Sequence, residues 1–238
     1  MKHCNLVVTS KGGAGKSFVA WVLAQWGMSK GFKMHCLDTD PANPTFAGYK
    51  ALNVQYLDIA NEKMLINRDI FDDLLEIIAE HDGFSVVDTG STTFYPFLSH
   101  AMEVRTFKLL KDAGVRVVVH APIAGGPALK ETLVALEALL ETTDVDVVIW
   151  LNGHFGSIEL NGKPVTETQL YKKYVDRILG IVNISPRERD THGKDFEFLL
   201  GNKLTFAQIP DHKFKLAQKQ RFADVRSELF GQLDAINF

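Results

Sequence analysis

The stretch Ser10-Lys11-Gly12-Gly13-Ala14-Gly15-Lys16-Ser17 constrains this chain more than any other. It follows the apolar run Asn5 to Thr9 and precedes the run from Phe18 to Trp26, which is too long for a strand and free of helix breakers. Strand, glycine-rich turn and helix form the context in which backbone N–H groups can crowd around a phosphate. The glycines leave no Cβ in the way, and the new helix points its unpaired N–H groups and positive dipole end at the same spot. Lys16 is placed to reach the outer phosphates, and the Ser17 hydroxyl to hold Mg²⁺. The usual pattern begins with Gly, and Ser10 stands there instead, followed at once by a second lysine, Lys11.

The rest of the chain alternates strands and helices. Expected strands are Asn5–Thr9, Lys33–Leu37, Phe84–Val87, Val115–His120, Val145–Leu151, Ile178–Ile184 and a last one at Leu204–Ile209. Expected helices are Ser17–Lys30, one capped by Asn67, Phe97–Ala113 after a loop at Ser91–Pro96, one opening at Gly125-Gly126-Pro127, Glu167–Val175, Asp190–Leu200 and a C-terminal one. Between residues 42 and 66 the pattern is weak, with a short helix at Phe46–Tyr49 and an extended piece at Val54–Leu57. The C-terminal stripe is Phe222, Val225, Leu229, Leu233 and Ile236, at helical spacing. This alternation predicts an α/β fold, a mainly parallel sheet covered by helices on both faces. With no linker or internal repeat, one P-loop NTPase domain spanning residues 1–238 suffices.

Three carboxylates at two strand ends stand where such a sheet gathers its chemistry. The second strand runs into Asp38-Thr39-Asp40-Pro41, and the third into Asp88-Thr89-Gly90. An apolar run ending in Asp downstream of a phosphate loop reads as a carboxylate that orients Mg²⁺ or its waters. Asp40 before Pro41 also reads as a turn-former.

Several function classes are disfavoured. A net charge of −3 gives no global pull towards nucleic acid or anionic lipid, so such binding needs a local patch. The basic run Lys213, Lys215, Lys219 and Arg221 is the candidate, against an ordinary solvated helix face. Cys4 and Cys36 form no Cys-x-x-Cys pair, which disfavours iron–sulfur carriers. No apolar window spans a bilayer, and acidic residues dilute the C-terminal stripe as a membrane-binding helix. A cytoplasmic location without stable membrane insertion is expected, because the phosphate loop follows the N-terminus too closely for a cleaved signal.

The loop with its additional lysine resembles the deviant Walker A motif of the ParA/MinD ATPases, ATP-dependent dimers with nucleotide sandwiched between subunits. That resemblance implies ATP and Mg²⁺ as cofactors. It implies a loop binding phosphate through Lys11, Gly12, Gly13, Ala14, Gly15, Lys16 and Ser17, with Lys11 reaching the neighbouring subunit's phosphates. It casts Lys11, Lys16 and Asp40 as the catalytic set, Asp40 positioning the attacking water. Ser17, Asp38, Asp40 and Asp88 are then the Mg²⁺ set. Adenine is expected against Asn152 and against backbone after the last strand, at Ile209-Pro210-Asp211. Asp38 to Val54, Trp150-Leu151-Asn152, Gly193 to Phe196 and Leu204-Thr205-Phe206 are similar to the TraL proteins of conjugative plasmids. These blocks spread from near residue 5 to about residue 230. The resemblance implies an ATPase accessory to plasmid transfer, with a transfer protein as partner and non-specific DNA binding open. The alternatives are a partition ATPase of the ParA type and a nucleotide-bound partner-binding module with little turnover. A metabolic ligase on the same fold ranks low, since such enzymes lack a lysine matching Lys11.

Overall fold

A computed structural model describes residues 2–61, 63 and 65–238. Seven strands form one sheet: β1 (Lys2–Val7), β2 (Met34–Thr39), β3 (Gln55–Tyr56), β4 (Phe84–Thr89), β5 (Val115–Ala124), β6 (Asp146–Asn152) and, after the small hairpin strands β7 (Glu159–Leu160) and β8 (Lys163–Pro164), β9 (Ile178–Ile184). Their order is β3-β2-β4-β1-β5-β6-β9. Every neighbouring pair in that sheet is parallel. The register aligns the carboxyl ends of the central strands: Val7 and Asp38 both pair with Asp88, and Ala124 pairs with Asn152. The glycine loop, the Asp38–Asp40 segment, Asp88 and Asn152 therefore gather at the carboxyl end of the sheet.

Parallel strands are buried on both faces, which is why they read as apolar runs rather than as alternating ones. One face carries α2 (Arg68–Glu80), α3 (Phe94–Glu103), α4 (Thr106–Asp112) and α5 (Leu129–Thr142), whose Phe71, Leu74, Phe97 and Leu133 to Leu140 meet Leu6, Val87, Val147 and Ile149. The other carries α1 (Lys16–Ser29) and α8 (Leu216–Asp234), whose Trp21, Trp26, Phe222 and Leu229 meet Val7, Val86, Val148 and Trp150. The alternation is visible within β6, where Val147 and Ile149 belong to one core, Val148 and Trp150 to the other. The C-terminal stripe is buried as its spacing predicts. Each fully buried side chain of this size contributes roughly 1.5–3 kcal/mol.

Three departures from the expected elements have local causes. The helix expected over 97–113 begins at Phe94, because Pro96 sits in its first turn, where a missing N–H costs nothing. It breaks at Arg105, which takes a left-handed φ of 55°, so that α4 can turn back onto β5. β5 runs on to Ala124 through Pro122. Its last pairing with β1 is at His120, so the proline lies beyond that neighbour and its missing N–H leaves no gap in the ladder. Asn67 occupies the N-cap of α2, but its side chain makes no capping hydrogen bond.

The fourth departure matters for function. Leu204–Ile209 is not a strand; residues 206–211 form a 3-10 turn. Its backbone groups are satisfied by α1: Trp21 Nε1 donates to Leu204 O at 3.1 Å, and Gln25 Oε1 accepts from Phe206 N at 2.6 Å. The sheet therefore ends at β9. There α8 covers the open edge, with Gln232 accepting from Asn183 N and donating to Asn183 O. The helix expected over 190–200 begins as a π-turn at Arg189–Gly193 and continues as α7 (Lys194–Gly201), and that expected over 167–175 shortens to α6 (Gln169–Lys173). Among the described residues, no helix is long and apolar enough to cross a membrane.

Candidate functional site

The glycine-rich loop leaves β1 after Val8 N donates to His120 O, and it ends where α1 begins at Lys16. Gly13 and Gly15 take φ of 76° and 103°, values that a side chain would strain. At Gly15 a Cβ would also lie 2.7 Å from Asn152 Nδ2. Gly15 is the N-cap of α1, and no side chain caps the helix. The first-turn N–H groups thus keep their donors for an anion.

Beneath this loop stand one cation and three carboxylates. Lys16 is 6% exposed; burial lowers its pKa, and the charges of Asp88 and Asp40 oppose that shift. Asp88 is 1% exposed and neither of its oxygens accepts a well-formed hydrogen bond. Burial pushes its pKa up to about 7, with the Ser17 hydroxyl and Lys16 pulling it down and Asp38 and Asp40 pushing it up. A buried carboxylate without partners is costly unless something else meets it. A divalent cation beside Ser17 fits that requirement.

Asp38 and Asp40 are differently engaged. Asp38 is fully buried; one oxygen accepts from Asp40 N at 3.0 Å and the other from Ala47 N at 2.8 Å. Burial raises its pKa and these backbone donors oppose the rise. Asp40 Oδ1 accepts from Ala42 N and Asn43 N, both at 3.0 Å, which fixes the turn through Pro41. Among the described residues, no three or more carboxylate, imidazole or thiol groups converge on a point where a metal could sit. Of the expected metal set of Ser17, Asp38, Asp40 and Asp88, Asp38 has both oxygens and Asp40 one oxygen bonded to backbone N–H groups. Asp38 is spent on the backbone, and Ser17 with Asp88 remains. That smaller set suits Mg²⁺, which keeps waters and takes phosphate oxygens rather than an all-protein cage.

Lys11 stands on the outer side of the loop, where its ammonium lies 3.0 Å from Glu131 Oε2 on α5. Asn152 ends β6 and ties it to the loop: Nδ2 donates to Ala14 O at 3.0 Å, and Oδ1 accepts from His154 N at 3.2 Å. Beside it opens a cavity of about 590 Å³, lined among others by Gly15, Phe18, Asn152, Ile184, Ser185 and Arg187. Its volume falls within the ~300–1,000 Å³ of small-molecule sites. Pro210 and Asp211 do not line it. They lie in the 3-10 turn, where Pro210 O accepts from Lys219 Nζ.

The chain is 37% identical over 238 residues to a protein TraL from Escherichia coli, covering 99% of this chain and 98% of that one.

The chain belongs to the TraL family.

A second E. coli protein TraL is 35% identical over 98% of both chains. No protein-family model matches. Among solved structures, the chain is similar to the MinC:MinD cell division complex of Aquifex aeolicus, at 14% identity and a TM-score of 0.48 over 96% of each chain. It is also similar to a Borrelia burgdorferi protein assigned to plasmid partition, bound to AMPPNP, at 15% identity and a TM-score of 0.47, covering 94% of this chain and 97% of that one.

Sequence reasoning missed Ser185 and Arg187 in this TraL-family chain, although the signal was present. Both follow β9, the last strand of the sheet, and line the cavity. Phe18 is partly buried, packs against the core and lines the cavity. The basic run near the C-terminus is not one free face. Arg221 Nε donates to Asp195 Oδ2 at 2.6 Å, and Lys219 is bonded to Pro210 O. Both cysteines are free and buried, and burial pushes each thiol up to about 12, which leaves them unreactive.

Proposed function

We propose that this chain is an Mg-ATP-dependent dimerising ATPase switch accessory to plasmid conjugative transfer, built as one domain over residues 1–238. The observation that carries the reading is Asp88, buried beside Ser17 and Lys16 with both oxygens unpartnered at the foot of an uncapped helix. In this reading the loop amides from Gly12 to Ser17 and the Lys16 ammonium hold the phosphates. Ser17 and Asp88 would hold Mg²⁺, and the bound ion would supply neutralisation of phosphate charge. Asp40 orients the attacking water through the oxygen that does not accept from the turn. Lys11 leaves Glu131 and reaches the neighbouring subunit's nucleotide. The base occupies the cavity beside Asn152 and Phe18.

A second reading rests on Asp40. Because one of its oxygens is held by two turn amides, a nucleotide-bound module with little turnover is also supported. Both readings predict ATP binding, and only the first predicts appreciable hydrolysis. Size measurement with ADP, ATP and a slowly hydrolysed analogue, with turnover recorded on the same samples, tests the proposal. ATP is expected to shift the protein to a dimer, and Lys11→Ala to abolish that shift. A Lys11→Ala protein that dimerised and hydrolysed ATP at the normal rate would sink the switch.

A further inference from the structure

The cavity beside the phosphate loop has one wall made by the C-terminal helix. Val225, Glu228 and Leu229 of α8 line it opposite Gly15 and Phe18. Glu228 binds two residues of the segment that follows β9. Its Oε1 accepts from Ser185 Oγ at 2.8 Å, and its Oε2 pairs with the Arg187 guanidinium. Four residues on, Gln232 fastens the end of β9 itself by bonding both the N–H and the C=O of Asn183. Helix α8 thus grips the chain between Asn183 and Arg187, of which Ile184, Ser185 and Arg187 line the cavity.

Asn152, the residue expected to read the base, is engaged elsewhere. Its amide nitrogen holds Ala14 O, and its amide oxygen holds His154 N. Swinging it towards a ligand would break its tie to the phosphate loop. Ser185 and Arg187 line the cavity beside the apolar side chains of Phe18 and Ile184, with His154, Arg189, Asp190, His192, Lys194 and Glu197 among its other polar residues. The positions of Ser185 and Arg187 depend on Glu228, a residue 43 positions away from Ser185 in sequence.

We infer that Glu228 is a positioning residue for the base end of the nucleotide: by holding Ser185 and Arg187 it shapes the cavity, and it couples α8 to nucleotide binding. The inference rests on the ATP reading above, and it goes beyond it by assigning base recognition to a contact made by the C-terminal helix. Glu228 touches neither the phosphate loop nor Lys16, so its effect should be confined to ligands that carry a base.

The test compares ATP with inorganic triphosphate, which has the phosphates and no base, on the wild-type protein, Glu228→Ala and Glu228→Gln. Wild type is expected to bind ATP more tightly than triphosphate. In Glu228→Ala the ATP affinity should fall about tenfold, one 1.4 kcal/mol step, with triphosphate affinity unchanged. Glu228→Gln keeps an acceptor for Ser185 and should recover part of the loss. Equal losses for both ligands would reveal general damage to the fold and overturn the inference, as would unchanged ATP affinity in Glu228→Ala. If wild type bound both ligands equally, the base would lie elsewhere and the inference would fail while the phosphate loop reading stood. Binding of neither ligand by wild type would end both.

Discussion

Lys11 Nζ lies 3.0 Å from Glu131 Oε2 of its own chain, so the lysine proposed to act across a dimer is held within the single subunit. Both side chains are about half exposed, at 41% and 50%, and such a pair contributes roughly 0–1 kcal/mol. That is a restraint weak enough for a nucleotide triphosphate to overcome. Glu131→Gln should release it and lower the ATP concentration needed for half-maximal dimer formation by up to about fivefold. Light scattering across an ATP titration measures this. An unchanged midpoint would show that the pair exerts no hold on Lys11.

Asp88 predicts a pH dependence whose sign is set by its raised pKa. The folded value of about 7 stands above the ~3.9 of an unfolded aspartate, so between those values the fold keeps a proton that the unfolded chain has released. The stability tied to Asp88 is full below pH ~4 and is lost as pH rises through about 7. Asp88→Asn should therefore be more stable than wild type at pH 8, by on the order of a few kcal/mol, and nearly equal to it at pH 4. Thermal melts without nucleotide test this. The same variant should lose Mg²⁺-dependent ATP binding.

Asp40 separates the two functional readings. Asp40→Asn keeps an oxygen for the turn amides of Ala42 and Asn43 and removes the carboxylate charge. ATP binding should survive, and single-turnover hydrolysis should fall about 100-fold, the lower range for losing a positioned acid–base group. Hydrolysis at the wild-type rate would remove Asp40 from the chemistry.

His120 carries a second pH signature with the opposite sign. It is fully buried, bonded to Asn5 Oδ1 at 3.1 Å and accepting from Trp150 Nε1 at 3.0 Å, and burial lowers its pKa to about 3. The unfolded value is ~6.5, so its contribution is full above pH ~6.5 and is lost as pH falls towards about 3. His120→Ala should cost about 3 kcal/mol at pH 7.5 through the void and the orphaned Trp150 N–H. That cost should shrink at pH 5. Urea unfolding at the two pH values gives both numbers.

Arg221 belongs to the fold rather than to a DNA surface. Its partner Asp195 has a side chain only 8% exposed, and removing the guanidinium would leave that carboxylate uncompensated. Arg221→Ala should destabilise by about 3 kcal/mol. Replacing Lys213 and Lys215 together should leave stability within about 0.5 kcal/mol and weaken any retention on DNA at low salt. Retention unaffected by the double substitution would exclude this surface.

Much of the architecture was legible because its signals are local. Six of the seven expected strands occur, since a parallel strand buried on both faces is a short apolar run bounded by turns, as at Phe84–Val87 and Ile178–Ile184. The stripe Phe222 to Ile236 is legible for the same reason: one spacing serves one buried face. Leu204–Ile209 has the same apolar look and is no strand, because Trp21 and Gln25 on α1 bond its backbone. That contact spans about 180 residues, and no window along the chain contains it. The difference reaches the cavity, since the residues after the last strand of the sheet that line it are Ser185 and Arg187, and Pro210 and Asp211 do not line it.

The sequence by itself determined the glycine loop, its two lysines and the carboxylates at the strand ends. The φ values of Gly13 and Gly15 and the start of a helix at Lys16 are consequences of local chemistry. Only the tertiary structure decided which of those groups are free to act. Asp38, Asp40 and Asp88 look equivalent in the chain. Asp38 spends both oxygens on backbone N–H groups, Asp40 spends one, and Asp88 spends neither, because the parallel register of β2, β4 and β1 buries it beneath the loop, beside Ser17 but without a well-formed hydrogen bond. Hydrogen-bond satisfaction is a property of neighbours in space, and the order of strands supplies those neighbours.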